Sequence, residues 1–227
     1  MISSLNIEEL KVKGFTYLNQ LDESTLKEIS RIISLSYNES TYQGDFKSGE
    51  KIANMLNLSI DNLEKIHEAV FNEKVRDKNF YSVLRVVKDG QSSEALRMHF
   101  DSHRFTIVLP IEIPDGNKKF SGELITFPKL RLEPKNAIMN ILGKAYTKIF
   151  SINFFFNILC KFKKYEISDF KDHKPILFLG RVTLHGNFLL KMKPFQTRIT
   201  LLLHYFDPEG KKGIGEAMRK IRKKLTR

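Results

Sequence analysis

The chain has 227 residues, 41% hydrophobic and 28% charged, which fits one large globular domain with its own core and excludes a disordered chain. A single cysteine, Cys160, excludes an internal disulfide and suits a reducing compartment, and no run of about 18 apolar residues offers a membrane span. The formal net charge of +12 calls for an anionic partner without choosing among nucleic acid, an anionic membrane surface and an acidic small molecule.

Residues 1–9 lack a basic region followed by a continuous apolar stretch, so no secretory signal is expected. The opening reads as a short strand at 15–18 and then a helix. Asp22, Ser24 or Thr25 can cap that helix, and Leu26, Ile29, Ile32 and Ile33 form its apolar face. A loop rich in Ser, Tyr, Gly and Asp follows at 36–49. A second helical stretch spans 52–71, with Leu56, Leu63, Ile66 and Val70 at helical spacing.

From Tyr81 the pattern changes to short β-type runs broken by turns, at 81–87, 105–113, 122–128, 176–179, 182–185 and 197–206. Lys88-Asp89-Gly90 and Pro114-Asp115-Gly116 supply turn chemistry. Many short strands with such punctuation predict an antiparallel sandwich or barrel, and a jelly roll is the version that brings distant strands around one cavity. The expected fold class is thus α+β with a mainly β core, built as one domain over 1–227. Residues 1–80 would be helical support, 81–206 the jelly roll with an insertion at 136–170, and 207–227 a basic C-terminal helix.

Two segments depart from the β pattern. Residues 136–165 read as a helix pair or lid dense in Ile141, Leu142, Tyr146, Ile149, Phe150, Phe154, Phe155, Phe156 and Phe162, with lysines interspersed. They either pack on the barrel while their lysines snorkel, or act as a substrate lid or membrane-surface contact. Residues 214–225 place Ile214, Met218, Ile221 and Leu225 on one face among Arg219, Lys220, Arg222, Lys223 and Lys224, a basic amphipathic helix.

The chemistry concentrates in Arg97-Met98-His99-Phe100-Asp101-Ser102-His103. In an extended chain His99 and Asp101 point to the same side, with Phe100 facing away. A third ligand from downstream would complete a 2-His-1-carboxylate set, which leaves coordination positions open on iron. His185 is the candidate, at the end of a strand beside Gly186, where a close approach is permitted. Arg198 and Thr200 share one face of the last long strand, opposite Ile199, Leu201 and Leu203. An inward Arg there needs an anion, and a carboxylate gripped side-on, with the Thr200 hydroxyl assisting, satisfies it. His103 and Asn187 are candidates to line a substrate pocket, whereas His67, His173 and His204 read as structural or exposed.

His99-Phe-Asp101, residues 121–128, Leu184-His185-Gly and Arg198-Ile-Thr200, in this order over about 81–206, resemble the Fe(II)/2-oxoglutarate-dependent dioxygenase superfamily. The layout is most similar to its prolyl-hydroxylase-like branch. The resemblance implies a double-stranded β-helix holding iron at His99, Asp101 and His185. It also implies 2-oxoglutarate held at its distal carboxylate by Arg198 with Thr200, and use of O2 to hydroxylate a C–H bond, releasing succinate and carbon dioxide. The tyrosine often found on the strand before His-x-Asp is replaced by Val86 or Val87, so Tyr81 and Arg85, which share a strand face, are the other cosubstrate candidates.

The long aromatic insertion argues against a peptidyl-proline substrate. His204 stands where demethylases of alkylated nucleic acids carry a second Arg, which argues against nucleic acid as the partner. The expected substrate is therefore a small or lipid-linked anionic molecule, a glycan or a metabolite, handled in the cytoplasm by a protein with peripheral contact to the inner membrane face. Two other readings remain at this point: a nucleic-acid-modifying oxygenase, and a metal-binding jelly roll without redox chemistry.

Overall fold

The computed structural model describes residues 5–37, 42–88, 97–114, 122–151, 153–170, 172–188, 190 and 195–209. The chain opens with helix α1 (Ile7–Lys13), capped by the Asn6 side chain and closed by Gly14 in a left-handed conformation. Sequence reading missed this helix. Strand β1 (Phe15–Tyr17) follows, then α2 (Glu23–Ser36), whose cap is Asp22, accepting from the Thr25 N–H at 2.8 Å. A three-residue strand β2 (Tyr42–Gly44) lies in the segment expected to be loop.

The single helix expected at 52–71 is two, α3 (Gly49–Met55) and α4 (Ile60–Phe71). Asn57 adopts a left-handed conformation and Ser59 caps the second helix, so local polar chemistry breaks a continuous apolar stripe. Strands β3 (Phe80–Lys88), β4 (Phe105–Glu112) and β5 (Leu124–Phe127) come next. Then come α5 (Ala137–Thr147), a 3-10 turn (Lys148–Ser151) and α6 (Asn153–Phe162). The chain returns through β6 (Glu166–Ser168), β7 (Ile176–Leu179), β8 (Leu184–Asn187) and β9 (Thr197–Tyr205). The proposed basic helix at 214–225 and the turns at Asp89-Gly90 and Asp115-Gly116 lie outside the described residues.

Two antiparallel sheets form, one of six strands in the order β1-β7-β4-β9-β3-β2 and one of three in the order β6-β5-β8. Side chains alternate across each strand, so each sheet has two chemically distinct faces. Leu201, Leu203 and Tyr205 of β9, with Leu84, Val86, Ile107 and Leu109, point to one side of the large sheet. There they meet Ile29, Ile32, Ile33, Ile52, Leu63 and Ile66 of the N-terminal helices in the main core. The opposite face supplies Val108, Ile176 and Phe178, packed with Phe15, Leu124 and Phe170 between the sheets. Ile125, Phe127 and Leu184 pack outward from the small sheet against Met98, Phe100, Phe156 and Leu159.

That last cluster shows where the insertion sits. Phe156 and Leu159 of α6 cover the outer side of the small sheet, while Phe154, Phe162, Leu142 and Tyr146 stay exposed to water. Among the described residues, no helix is long and apolar enough to cross a membrane.

Candidate metal centre

The site begins as a strand pairing. The backbones of His99 and His185 exchange hydrogen bonds of 2.9 and 3.0 Å, forming an isolated antiparallel bridge beside β8. Residues paired in this way carry side chains on the same face, so the two imidazoles lie together, with ring centroids 4.3 Å apart. Two residues on, Asp101 is fixed by its N–H donating to the Gly180 carbonyl at 2.9 Å. Phe100 turns the other way into the outer core, where the Arg131 guanidinium lies 3.9 Å over its ring.

His99, Asp101 and His185 each offer one ligand atom within 4.8 Å of the others. His99 Nε2 lies 3.7 Å from one Asp101 oxygen and His185 Nε2 3.6 Å from the other. Each imidazole donates its Nδ1–H to a backbone carbonyl two residues earlier, His99 to Arg97 at 2.9 Å and His185 to Thr183 at 3.1 Å. This fixes the tautomer and leaves both Nε2 lone pairs facing Asp101, as a divalent metal requires. Neighbouring ligands of an octahedral ion at about 2.1 Å sit about 3 Å apart, so a small contraction closes the group on a metal. The residues fit.

The electrostatics agree with that use. Burial holds the imidazole of His185 below the ordinary histidine range, Asp101 only partly opposing it. His99 is lowered by burial and by the adjacent His185, although 46% of its side chain is open to water, which moderates the effect. For Asp101, burial alone would raise the carboxyl. His185, His204, His99 and the Thr106 hydroxyl outweigh it and keep the group far below the usual carboxylate range. At neutral pH the site therefore presents two neutral imidazoles and one carboxylate.

A second layer was not legible in the sequence. Thr106 of β4, wholly buried, donates its hydroxyl to Asp101 Oδ2 at 2.5 Å, and His204 Nδ1 lies 3.1 Å from the Thr106 hydroxyl oxygen and 3.8 Å from Asp101 Oδ2. Of the two alternatives expected for His204, structural or exposed, it takes the first: it is buried beside Asp101 and stacks on His103 with centroids 5.0 Å apart. His103 also stacks on Tyr81 at 6.0 Å, so both lie at the edge of the site. A β-carbon on Gly180 would come within 2.9 Å of Asp101 Cβ, the Thr106 hydroxyl and the His103 carbonyl, so only glycine permits this approach.

Farther along the inner face, Arg198 and Thr200 are both buried, and Arg85 is the register partner of Thr200. Burial lowers the Arg198 guanidinium to about 10, Arg85 adding to the effect and Glu123 opposing it. The charge of Arg85 also bears weakly on His185, lowering it further. Gly122 presses on Arg198 so closely that an added β-carbon would lie 2.5 Å from Nη1. Arg198 Nε has no hydrogen-bond partner, the condition of a buried cation waiting for an anion. Asn187 is half-buried on β8, opposite Leu124, two residues past His185. From the insertion, Lys144 of α5 donates to the Ser102 hydroxyl at 2.6 Å, tying that helix to the ligand loop.

No protein-family model matches the chain, and no curated protein sequence matches it. Solved structures do. A Pseudomonas putida prolyl-4-hydroxylase superposes with a TM-score of 0.56 at 11% identity, covering 91% of this chain and 98% of its own. The non-heme alpha ketoglutarate dependent carbocyclase SnoK from nogalamycin biosynthesis gives a TM-score of 0.60 at 12% identity, with 90% and 85% covered. The epimerase SnoN, in complex with Fe3+, alpha ketoglutarate and nogalamycin RO, gives 0.55 at 14% identity, with 88% and 83% covered. The chain thus has the jelly-roll fold of the 2-oxoglutarate–Fe(II) oxygenases, prolyl hydroxylases among them, and carries within it a His-Asp-His group suited to a metal ion.

Proposed function

We propose that this protein is an Fe(II)- and 2-oxoglutarate-dependent dioxygenase that hydroxylates an unactivated C–H bond of a small or lipid-linked anionic substrate. The observation that carries the reading is the pairing of His99, Asp101 and His185 with a buried Arg198 on the same inner surface. Bound iron and 2-oxoglutarate would supply the oxidation, one oxygen atom of O2 entering the substrate and the other entering succinate as carbon dioxide leaves.

The chain's own residues hold and exclude. His99, Asp101 and His185 would bind the metal through two nitrogens and one oxygen, leaving positions open. Arg198, with Thr200 beside it, would grip the distal carboxylate of 2-oxoglutarate, and Arg85, the register partner of Thr200, adds positive charge nearby. His103 and Asn187 would line the substrate side, and Tyr81, stacked on His103, stays with Arg85 as a cosubstrate candidate. Phe178, 4.7 Å from the His185 ring, keeps water from the inner flank of the centre.

Support for an anionic, amphiphilic substrate comes from the surface. Leu142, Tyr146, Phe154 and Phe162 of the insertion are all more than 60% exposed, and Lys148, Lys161, Lys163 and Lys164 stand among them. An exposed apolar patch rimmed by lysines suits the face of an anionic bilayer. Vesicles containing anionic lipid should pellet the protein at low salt, and a protein left in the supernatant would remove this part of the reading.

The reaction is tested by incubating the protein with Fe(II), ascorbate and 2-oxoglutarate and measuring succinate, which forms without substrate if turnover is uncoupled. An iron-loaded protein that never consumes 2-oxoglutarate, even with cell extract added, refutes the proposal. Arg198→Ala should leave iron bound and raise the 2-oxoglutarate requirement, by roughly 10- to 100-fold for loss of a charge-assisted pair.

A further inference from the structure

Helix α5 is packed the wrong way round for a surface helix. Asn140, Gly143, Lys144 and Thr147, three or four residues apart, share the side turned to the protein, and Asn140 and Thr147 are buried. Ile138, Met139, Leu142 and Tyr146 are exposed on the other side. A helix that buries polar groups and shows apolar ones to water is held by directed contacts, since transfer of apolar surface cannot seat it this way.

Those contacts converge on the two neighbours of Asp101. On one side, the Arg131 guanidinium lies 3.9 Å over the Phe100 ring. It is oriented there by donating from Nε to the Arg181 carbonyl at 2.6 Å and from Nη2 to Asn140 Oδ1 at 2.7 Å. Gly143 makes room for it, because a β-carbon at that position would collide with Arg131 Nη1. On the other side, Lys144 donates to Ser102 Oγ at 2.6 Å, and Arg181 Nη1 donates to the Ser102 carbonyl at 3.0 Å. Arg181 joins the two grips, its carbonyl held by Arg131 while its guanidinium holds Ser102.

We propose that α5 is a positioning element of the metal centre: Arg131 and Lys144 fix Phe100 and Ser102 and so hold the Asp101 carboxylate between them in the ligand set. This rests on the reading of His99, Asp101 and His185 as a metal site. Phe100 and Ser102 are the covalent neighbours of Asp101, so a shift in either turns its backbone and swings the carboxylate. The insertion is then a working part of the centre as well as a cover for the small sheet.

Competitive titration of the full-length apoprotein with Co(II), beside thermal melting without metal, tests this. Arg131→Lys keeps the charge but loses the planar fork and the stacking. Lys144→Met keeps the stem and loses the ammonium. Gly143→Ala sets a methyl against the guanidinium while favouring the helix itself. Each should bind Co(II) roughly 3- to 10-fold more weakly than the wild type, short of the about 10- to 100-fold loss for a group bonded directly to a ligand. The visible bands of bound Co(II) should change as the carboxylate moves. Thr147→Val is the control. It removes a buried hydrogen bond that stays within α5, to the Lys144 carbonyl at 2.8 Å. It should lower the melting temperature and leave Co(II) affinity within about twofold of the wild type.

Wild-type affinity and spectrum in either Gly143→Ala or Lys144→Met overturn the proposal, which needs both grips. So does a Thr147→Val protein that weakens Co(II) as much as they do, because the effect then comes from a generally loosened helix. If Arg131→Lys does not fold, the other two variants decide. A wild type that binds no Co(II) defeats the metal reading and the proposal with it, whereas unaffected variants of a metal-binding wild type defeat the role of α5 alone.

Discussion

Replacing Thr106 by Val is the sharpest probe of how the metal group is held. Valine has the same branched shape, so the strand conformation and the packing volume of β4 survive. The change removes only the hydroxyl that donates to Asp101 Oδ2 at 2.5 Å and meets His204 Nδ1 at 3.1 Å. The site is wholly buried, so no water replaces the lost donor. A hydrogen bond to a charged group contributes about 1.5–3 kcal/mol. Expressed as ligand orientation, that equals roughly a 10- to 150-fold change, in line with the about 10- to 100-fold losses seen when groups behind metal ligands are removed. Anaerobic titration of apoprotein with Co(II) against a competing chelator should therefore show metal affinity reduced about 10- to 100-fold. A Thr106→Val protein that melts like the wild type and binds metal within about threefold of it would refute the reasoning, since the predicted loss is at least about tenfold.

Other consequences follow from the same geometry. Gly180→Ala inserts a methyl where three atoms already lie within 2.9 Å, two of them on residues of the ligand loop. Denaturant unfolding should show a loss of about 1–3 kcal/mol together with weaker metal binding, and an unchanged affinity would mean that the loop yields freely. The pH dependence of the metal-free protein is fixed in sign. Burial holds His67, His185 and His204 below their ordinary values, so the native state binds fewer protons than the unfolded chain. Their contribution is complete above about pH 6.5 and is lost as the pH falls through that value toward their native ones. Asp101, also lowered, adds a loss that begins only near the unfolded carboxylate value of about 3.9. Melting temperature in EDTA should thus decline between about pH 7 and 5, before most carboxylates titrate, and a flat profile over that range would contradict the burial of these rings.

Much of the site was readable because strand geometry is periodic. His99 and Asp101 stand two apart, as do Arg198 and Thr200, and alternation alone brings each pair to one face. Leu201, Leu203 and Tyr205 mark the opposite face as core, which turns Arg198 inward without any knowledge of the fold. What alternation cannot supply is register between strands distant in sequence. Thr106 reaches Asp101 beside His204 because β4 pairs with β9 at Thr106 and His204, and that alignment is set by the whole sheet. Gly180 matters through contacts that no local pattern announces.

The helices failed differently. Asn6, Glu9 and Gly14 do mark α1, with a cap, an acidic first turn and a left-handed terminator, but seven residues give too short a stripe for periodicity to register. The joint between α3 and α4 lay hidden because apolar spacing continues across Asn57 and Ser59. In the insertion, composition alone could not separate packing from display. Phe156 and Leu159 pack, while Phe154 and Phe162 face water, and the division depends on where the small sheet's outer surface happens to be.

The account stands or falls on three side chains meeting one ion, and anaerobic Fe(II) titration of the wild type and its ligand variants measures that directly. One equivalent should bind to the wild type, and affinity should collapse in His99→Ala, Asp101→Ala and His185→Ala proteins that still melt cooperatively. Undiminished iron binding by a folded His185→Ala variant would contradict it.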